Sequence, residues 1–140
     1  MSTKRFETQE DLDNELQVIK KFCSKGNFSY KKLDRHSLDY AIVKDERVVA
    51  FVEIKCYKTS SDKYHSQILS LYKWEKLKDY NKLAPTFFVC RYSDGVILYL
   101  HAEDIKGDVK FSGRKVVREG SFSDREFCIF IERNQMRKLK

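Results

Sequence analysis

A glutamate and a lysine two residues apart, Glu53 and Lys55, continue an apolar run, Val-Val-Ala-Phe-Val, that begins at Val48. An acid-x-Lys triplet is common in so charged a chain. Three occur here, at 53–55, 104–106 and 108–110, about what chance gives. The last two lie in polar sequence, where charges are free. Strand residues i and i+2 share a face, so Glu53 and Lys55 project together from a segment with every sign of burial. Charge in a low-dielectric interior is costly unless it is paired or metal-bound. A third charge follows from hairpin arithmetic. If Val43 faces Val49 across a polar turn at 44–47, Ala41 faces Phe51 and Asp39 faces Glu53; a one-residue slip would put the apolar faces out of phase. Two opposed carboxylates repel, and a hard divalent cation between them resolves the conflict. Magnesium takes carboxylate oxygens and keeps several waters. Lys55 beside it can hold an attacking water or stabilise charge developing on a phosphate. On this reasoning, loss of either carboxylate leaves the fold as stable or more so. The rival reading is a plain Lys55–Glu53 salt bridge with Asp39 in water, which leaves the convergence of three charges on a covered sheet unexplained.

The elements that must position these groups are readable in outline. Thr8 is an N-cap, with Glu10 and Asp11 in the first turn of a helix. Leu12, Leu16, Ile19 and Cys23 form its stripe, and Gly26 is its stop. Glu15 lies beside that stripe, toward the edge of the core. Strands are expected at 28–33, 38–43 and 48–56. The last is apolar on both faces, so it is central and covered on both sides. A polar loop at 59–62 leads into a helix over 63–82, whose apolar face is Ile68, Leu71, Tyr72, Trp74 and Leu77. A hairpin follows, 86–92 and 96–100, turning at Ser93-Asp94-Gly95. Strands at 114–118 and 127–131 and a short helix at 134–139 complete the chain. The expectation is one α/β domain over 1–140, with a core at about 8–100 and a C-terminal extension at 101–140. Its α-β-β-β-α-β core has a mixed central sheet flanked by helices.

Composition narrows the function. The 140 residues are 41% hydrophobic and 35% charged, enough to bury one core. No apolar stretch approaches the ~20 residues of a membrane span. The polar first ten residues hold no signal-peptide core, so a cytoplasmic protein is expected. A net charge of +7 favours a polyanionic partner. Cys23, Cys56, Cys90 and Cys128 lack metal-ligand spacing and read as buried free thiols. His36, His65 and His101 are not spaced as a metal set. With no P-loop and no Gly-rich dinucleotide motif, no nucleotide cofactor is expected.

A helix with an inward Glu, a strand, an Asp opening a hairpin, Glu-x-Lys on its second strand, then helix and strand: over about 8–100 this resembles the PD-(D/E)XK nuclease superfamily. The resemblance implies that Asp39, Glu53 and the Ile54 carbonyl bind Mg2+, with Mn2+ able to substitute. It also implies that Lys55 is catalytic and that Glu15 completes the metal shell. Leu38 stands where the motif has proline, a backbone preference without chemistry. Size, charge and layout are most similar to small archaeal-type and phage Holliday-junction resolvases, which implies a homodimer acting on branched DNA. The expected activity is a magnesium-dependent, structure-selective DNA endonuclease. The alternatives are an end- or nick-directed nuclease, or a non-catalytic nucleic-acid-binding domain of the same fold. Expected nucleic-acid contacts are Tyr57 and Lys58, which directly follow the triplet, Lys63 and His65 in the next loop, and Lys31, Lys32 and Arg35.

Overall fold

In a computed structural model that describes residues 8–34, 37–112 and 126–139, two helices and nine strands build two sheets. The elements are α1 (Gln9–Cys23), β1 (Ser29–Lys32), β2 (Tyr40–Lys44), β3 (Arg47–Cys56), β4 (Ser66–Ser70), α2 (Leu71–Asn81), β5 (Thr86–Arg91), β6 (Ile97–His101), β7 (Asp108–Ser112), β8 (Glu126–Glu132) and β9 (Arg137–Lys138). The main sheet runs β1-β2-β3-β5-β6-β9, and a smaller one runs β4-β8-β7. Only β3 and β5 pair in parallel, so the main sheet is mixed. This is a small α/β domain with a restriction-endonuclease-like core.

Thr8 caps α1 through a capping box with Asp11. The helix buries Glu15, Val18, Ile19 and Cys23, one turn-by-turn face of spacing 3 and 4. It lies on the sheet face formed by Tyr40, Ile42, Ala50, Val52, Ile54 and Val89. The opposite face, with Phe88, Cys90, Tyr92 and Leu100, is covered by Leu77 of α2 and by Leu69, Ile129 and Ile131 of the smaller sheet. The C-terminal half of β3 is therefore covered on both sides, as its composition requires.

The β2–β3 hairpin carries a register device. Its turn is two residues long, and Asp45 and Glu46 both adopt positive φ, +52° and +65°, the conformation of a type I′ turn. That turn pairs Lys44 with Arg47 and Val43 with Val48. A bulge then leaves Val49 as an extra residue, and Ile42 faces Ala50, Ala41 faces Phe51 and Tyr40 faces Val52. Without the bulge, the turn register would carry Asp39 to the level of Val52. With it, the pairing shifts by one and brings Asp39 to the level of Glu53. The expected Val43–Val49 pair does not form, yet the expected alignment nearer the site arises through the bulge.

Three element boundaries differ from expectation. Residues 66–70 form β4 instead of helix, because Ile68 and Leu69 pair with Phe130 and Ile129 of β8. The second helix therefore begins at Leu71, capped by the Ser70 hydroxyl rather than by the 59–62 loop. Residues 133–139 make a 3-10 turn at Arg133–Gln135 and the short strand β9, which extends the sheet beside β6. The expected strand at 114–118 lies outside the described residues.

Candidate active site

Three acidic side chains are buried in the described chain: Glu15 at 6%, Asp39 at 2% and Glu53 at 4% exposed. Glu15 comes from α1, Asp39 from the residue before β2, and Glu53 from β3. The β2–β3 ladder begins at Tyr40–Val52, so Ile54 lies beyond it. Its N–H donates to Asp39 Oδ2 at 2.7 Å. The Asp39 carboxylate thus takes the place of the next backbone acceptor and is tied to the middle residue of the Glu-x-Lys triplet. A charge-assisted bond to a buried backbone amide fixes the carboxylate orientation more firmly than a neutral one.

Among the described residues, the cations at the site are lysines. Lys32 Nζ, reaching in from β1, lies 2.8 Å from Glu15 Oε1 and 3.5 Å from Asp39 Oδ1. It also sits 4.9 Å from the centre of the Tyr40 ring. Lys73 Nζ, from the first turn of α2, lies 2.9 Å from Glu53 Oε2. These pairings correct two expectations. Lys32 faces the carboxylates, so it is part of the site and not simply a surface contact. Among the described residues, the ion pair of Glu53 is with Lys73, where the plain reading had Lys55. Lys55 shares the Glu53 side of β3 but is exposed to solvent. Its strand partner on β5 is Cys90.

Lys73 was missed because an ion pair between elements leaves no spacing signal. One clue was available: α2 has no acid in its first turn and a lysine there instead, contrary to the dipole preference.

Among the described residues, no three His, Cys, Asp or Glu side chains stand close enough to enclose a metal ion by themselves. The donor chemistry nevertheless fits a hard cation. The carboxylates are buried oxygen ligands, one is oriented by backbone, and ammonium groups already stand where positive charge is favoured. Two carboxylates, a backbone carbonyl and water are enough for magnesium, which retains much of its hydration shell.

The remaining expected contacts divide. Lys31, Lys58, Lys63 and His65 are exposed, with the Lys63 ammonium over the Tyr64 ring. Arg35 lies outside the described residues. Tyr57 is a correction: it stacks on Tyr92, with ring centres 5.5 Å apart, and its hydroxyl accepts from the Gln67 amide at 2.5 Å. Gln67 is itself buried and accepts from the Tyr92 hydroxyl at 2.7 Å. Burial pushes the ionisation of both phenols upward, that of Tyr57 well above the ordinary range. Tyr57 is therefore a neutral support beneath the loop. It turned inward because β4, invisible in the sequence, brings Gln67 to meet it.

That loop, 59–65, is anchored from two sides. Ser61 donates both its amide, at 3.1 Å, and its hydroxyl, at 2.7 Å, to Asp94 Oδ2. The Ser61 hydroxyl bond lowers the Asp94 carboxyl below the usual carboxylate range. Arg133 donates its guanidinium to the Ser61 carbonyl and its amide to the His65 carbonyl, and its side chain lies 4.4 Å over the Tyr92 ring. Arg133 is thus a structural tie.

All four cysteines are free, and three are buried. Burial, reinforced by Glu15, pushes the Cys56 thiol up to about 11, so it is inert at neutral pH.

A mixed sheet with a helix on each face, a bulged hairpin that levels an Asp with Glu-x-Lys, and a buried Glu on the first helix together define the PD-(D/E)XK nuclease superfamily. A family model described as "Phage putative PDDEXK endonuclease" matches residues 1–139, and the chain belongs to that family. No curated protein matches it. No described helix is long and apolar enough to cross a membrane.

Proposed function

We propose that the protein is a magnesium-dependent DNA endonuclease that hydrolyses phosphodiester bonds at Asp39, Glu53 and Lys55. The observation that carries this reading is the bond from the Ile54 amide to Asp39 Oδ2. It joins the separately encoded Asp to the Glu-x-Lys triplet by tying the Asp39 carboxylate to a buried backbone amide. Asp39 and Glu53, with the Ile54 carbonyl, would hold the ion, and Glu15 would lend it charge from α1. The bound ion would supply a polarised water and neutralise phosphate charge. Lys55, with its ammonium in solvent on the Glu53 side, would donate to the phosphate oxygens or hold the attacking water. The exposed Lys31, Lys58 and Lys63 would bind backbone phosphates on either side, setting position without reading sequence.

Within this reading the substrate is branched DNA and the acting species a homodimer, both on the resemblance to junction resolvases. Two cuts on opposed strands require two such sites held by one symmetry axis. The exposed apolar side chains Val109, Phe111 and Phe127 on the smaller sheet offer area for a second copy.

The test is a cleavage panel of linear, nicked, single-stranded and four-way-junction DNA in magnesium, with chelator controls, combined with a mass measurement in solution. Asp39→Ala, Glu53→Ala and Lys55→Ala should each lower cleavage at least about a hundredfold, the scale of losing one electrostatic or acid–base contribution. Full activity in either carboxylate variant would overturn the site. A monomer that treats junction and duplex alike would overturn the resolvase reading and leave the nuclease reading standing.

A further inference from the structure

Lys32 and Lys73 hold the carboxylates in the absence of metal, and we propose that metal entry releases both ammonium groups onto the DNA backbone. The inference rests on the metal-site reading above and adds a linkage between ion and nucleic acid. Three features support it. First, each ammonium occupies charge that a divalent cation would claim: Lys32 against Glu15 and Asp39, Lys73 against Glu53. Once that charge is neutralised, a dication beside an ammonium is repulsive, and the lysines lose their reason to stay.

Second, both can leave without unfolding anything. The Lys32 and Lys73 side chains are 37% and 24% exposed, so neither is sealed into the core. Lysine is a point charge on a flexible four-carbon stem. Lys32 stands on β1, the edge strand of the main sheet.

Third, Lys73 sits in the first turn of α2, which has no acid. A cation at that end opposes the helix dipole and is held there by Glu53. Freed from Glu53, the lysine and the helix end together favour an anion. The exposed Lys31 and Lys58 already belong to the surface that would bind phosphate, so the released groups add to an existing basic rim.

Reciprocity follows. If the ion raises DNA affinity by some factor, DNA raises ion affinity by the same factor. The ammonium groups are thus shared counter-ions, neutralising the protein when empty and the nucleic acid when loaded.

The test uses calcium, which should fill the site without efficient turnover, and fluorescence anisotropy of a labelled linear duplex over a range of potassium concentrations. Wild type, Lys32→Met and Lys73→Met are compared in chelator and in saturating calcium. Each protein sees the same solution, so the duplex's own response to calcium cancels. In chelator the three log–log salt slopes should coincide, because the lysines are occupied. In calcium the wild-type slope should exceed that of each variant by about 0.9, the value for one phosphate contact. Equal deficits in both conditions would mean the lysines bind phosphate without the ion, and coincident slopes in calcium would mean they never reach it. Either outcome overturns the proposal. Lys73→Met lies at a helix surface and carries the test should Lys32→Met fold poorly. Calorimetric titration of calcium into DNA-free wild type separates the two levels. Binding there with coincident slopes removes only the handover, whereas absence of calcium binding, or of duplex binding in either condition, removes the site reading as well.

Discussion

Glu53→Gln in metal-free protein is the perturbation whose sign the structure reverses. Two opposed carboxylates considered alone predict that removing one charge relieves repulsion and stabilises the fold. The ion pair with Lys73 predicts the opposite. Glu53 is 4% exposed and Lys73 Nζ lies 2.9 Å from its carboxylate. Breaking a fully buried ion pair costs about 3–5 kcal/mol, and an exposed one contributes ~0–1 kcal/mol. The Lys73 side chain is 24% exposed, so its ammonium keeps part of its hydration and the cost falls between, at about 1–3 kcal/mol. Glutamine has the same shape, so no cavity adds to that figure. For a chain of this size, each kcal/mol moves the midpoint by ~3–5 °C, giving a fall of roughly 3–15 °C. Thermal unfolding followed by circular dichroism in chelator and low salt measures it. Lys73→Met and the double variant complete a cycle, whose coupling should be about 1–2 kcal/mol. A Glu53→Gln protein that melts at or above wild type would refute the ion-pair reasoning and restore the repulsion argument.

Other outcomes follow from the support beneath the site. Gln67→Leu leaves the hydroxyls of Tyr57 and Tyr92 without their buried partner and should cost about 2–4 kcal/mol in urea unfolding; a loss below ~1 kcal/mol would mean that water replaces the amide. Tyr57 and Tyr92 have folded-state ionisations raised by burial. Deprotonation therefore favours the unfolded chain: the stability they contribute is intact below about pH 10, the ordinary tyrosine value, and declines above it. Tyrosinate absorbance should show two phenols ionising only with unfolding. Asp94 has the opposite sign, since its carboxyl is lowered by Ser61. Its contribution is present above the ordinary carboxylate range and is lost as pH falls through its lowered value. Asp94→Ala should speed amide exchange at Ser61 and its neighbours several-fold, with the β3 amides unchanged.

The legible parts of this chain were those specified by near neighbours in sequence. The N-cap at Thr8, the Gln9–Cys23 helix, the apolar strand around Val52 and the Asp94 turn all announce themselves within a few residues. The burial of Glu53 was legible too, because charge inside an apolar run is anomalous wherever the chain goes, and that of Asp39 followed from the hairpin register. What failed depended on partners far along the chain. Ile68 and Leu69 have spacing compatible with the helix that follows, and only pairing with Phe130 and Ile129 makes 66–70 a strand. Tyr57 was misread for the same reason, since Gln67 reaches it only on β4. Lys32 and Lys73 looked like ordinary surface lysines, because nothing local shows that their heads end on carboxylates. The bulge at Val49 was hidden by its own success: an alignment of Asp39 with Glu53 is what an unbulged hairpin with a longer turn would also give.

Arg133 ties the 59–65 loop from 72 and 73 residues away, through Ser61 and Ser60. During synthesis, α1 and the strands β1, β2 and β3, which carry or flank Glu15, Asp39 and Glu53, leave the ribosome well before this tie. The loop beside them waits for later sequence, because β4 has β8 as its strand neighbour and the tie itself is translated 72 and 73 residues after the serines it holds. A nascent chain that stalls before Arg133 would carry its acidic cluster beside a loop tied on its Asp94 side alone. Synthesis through Arg133 is thus built into the geometry as a condition for the fully anchored loop beside the carboxylates.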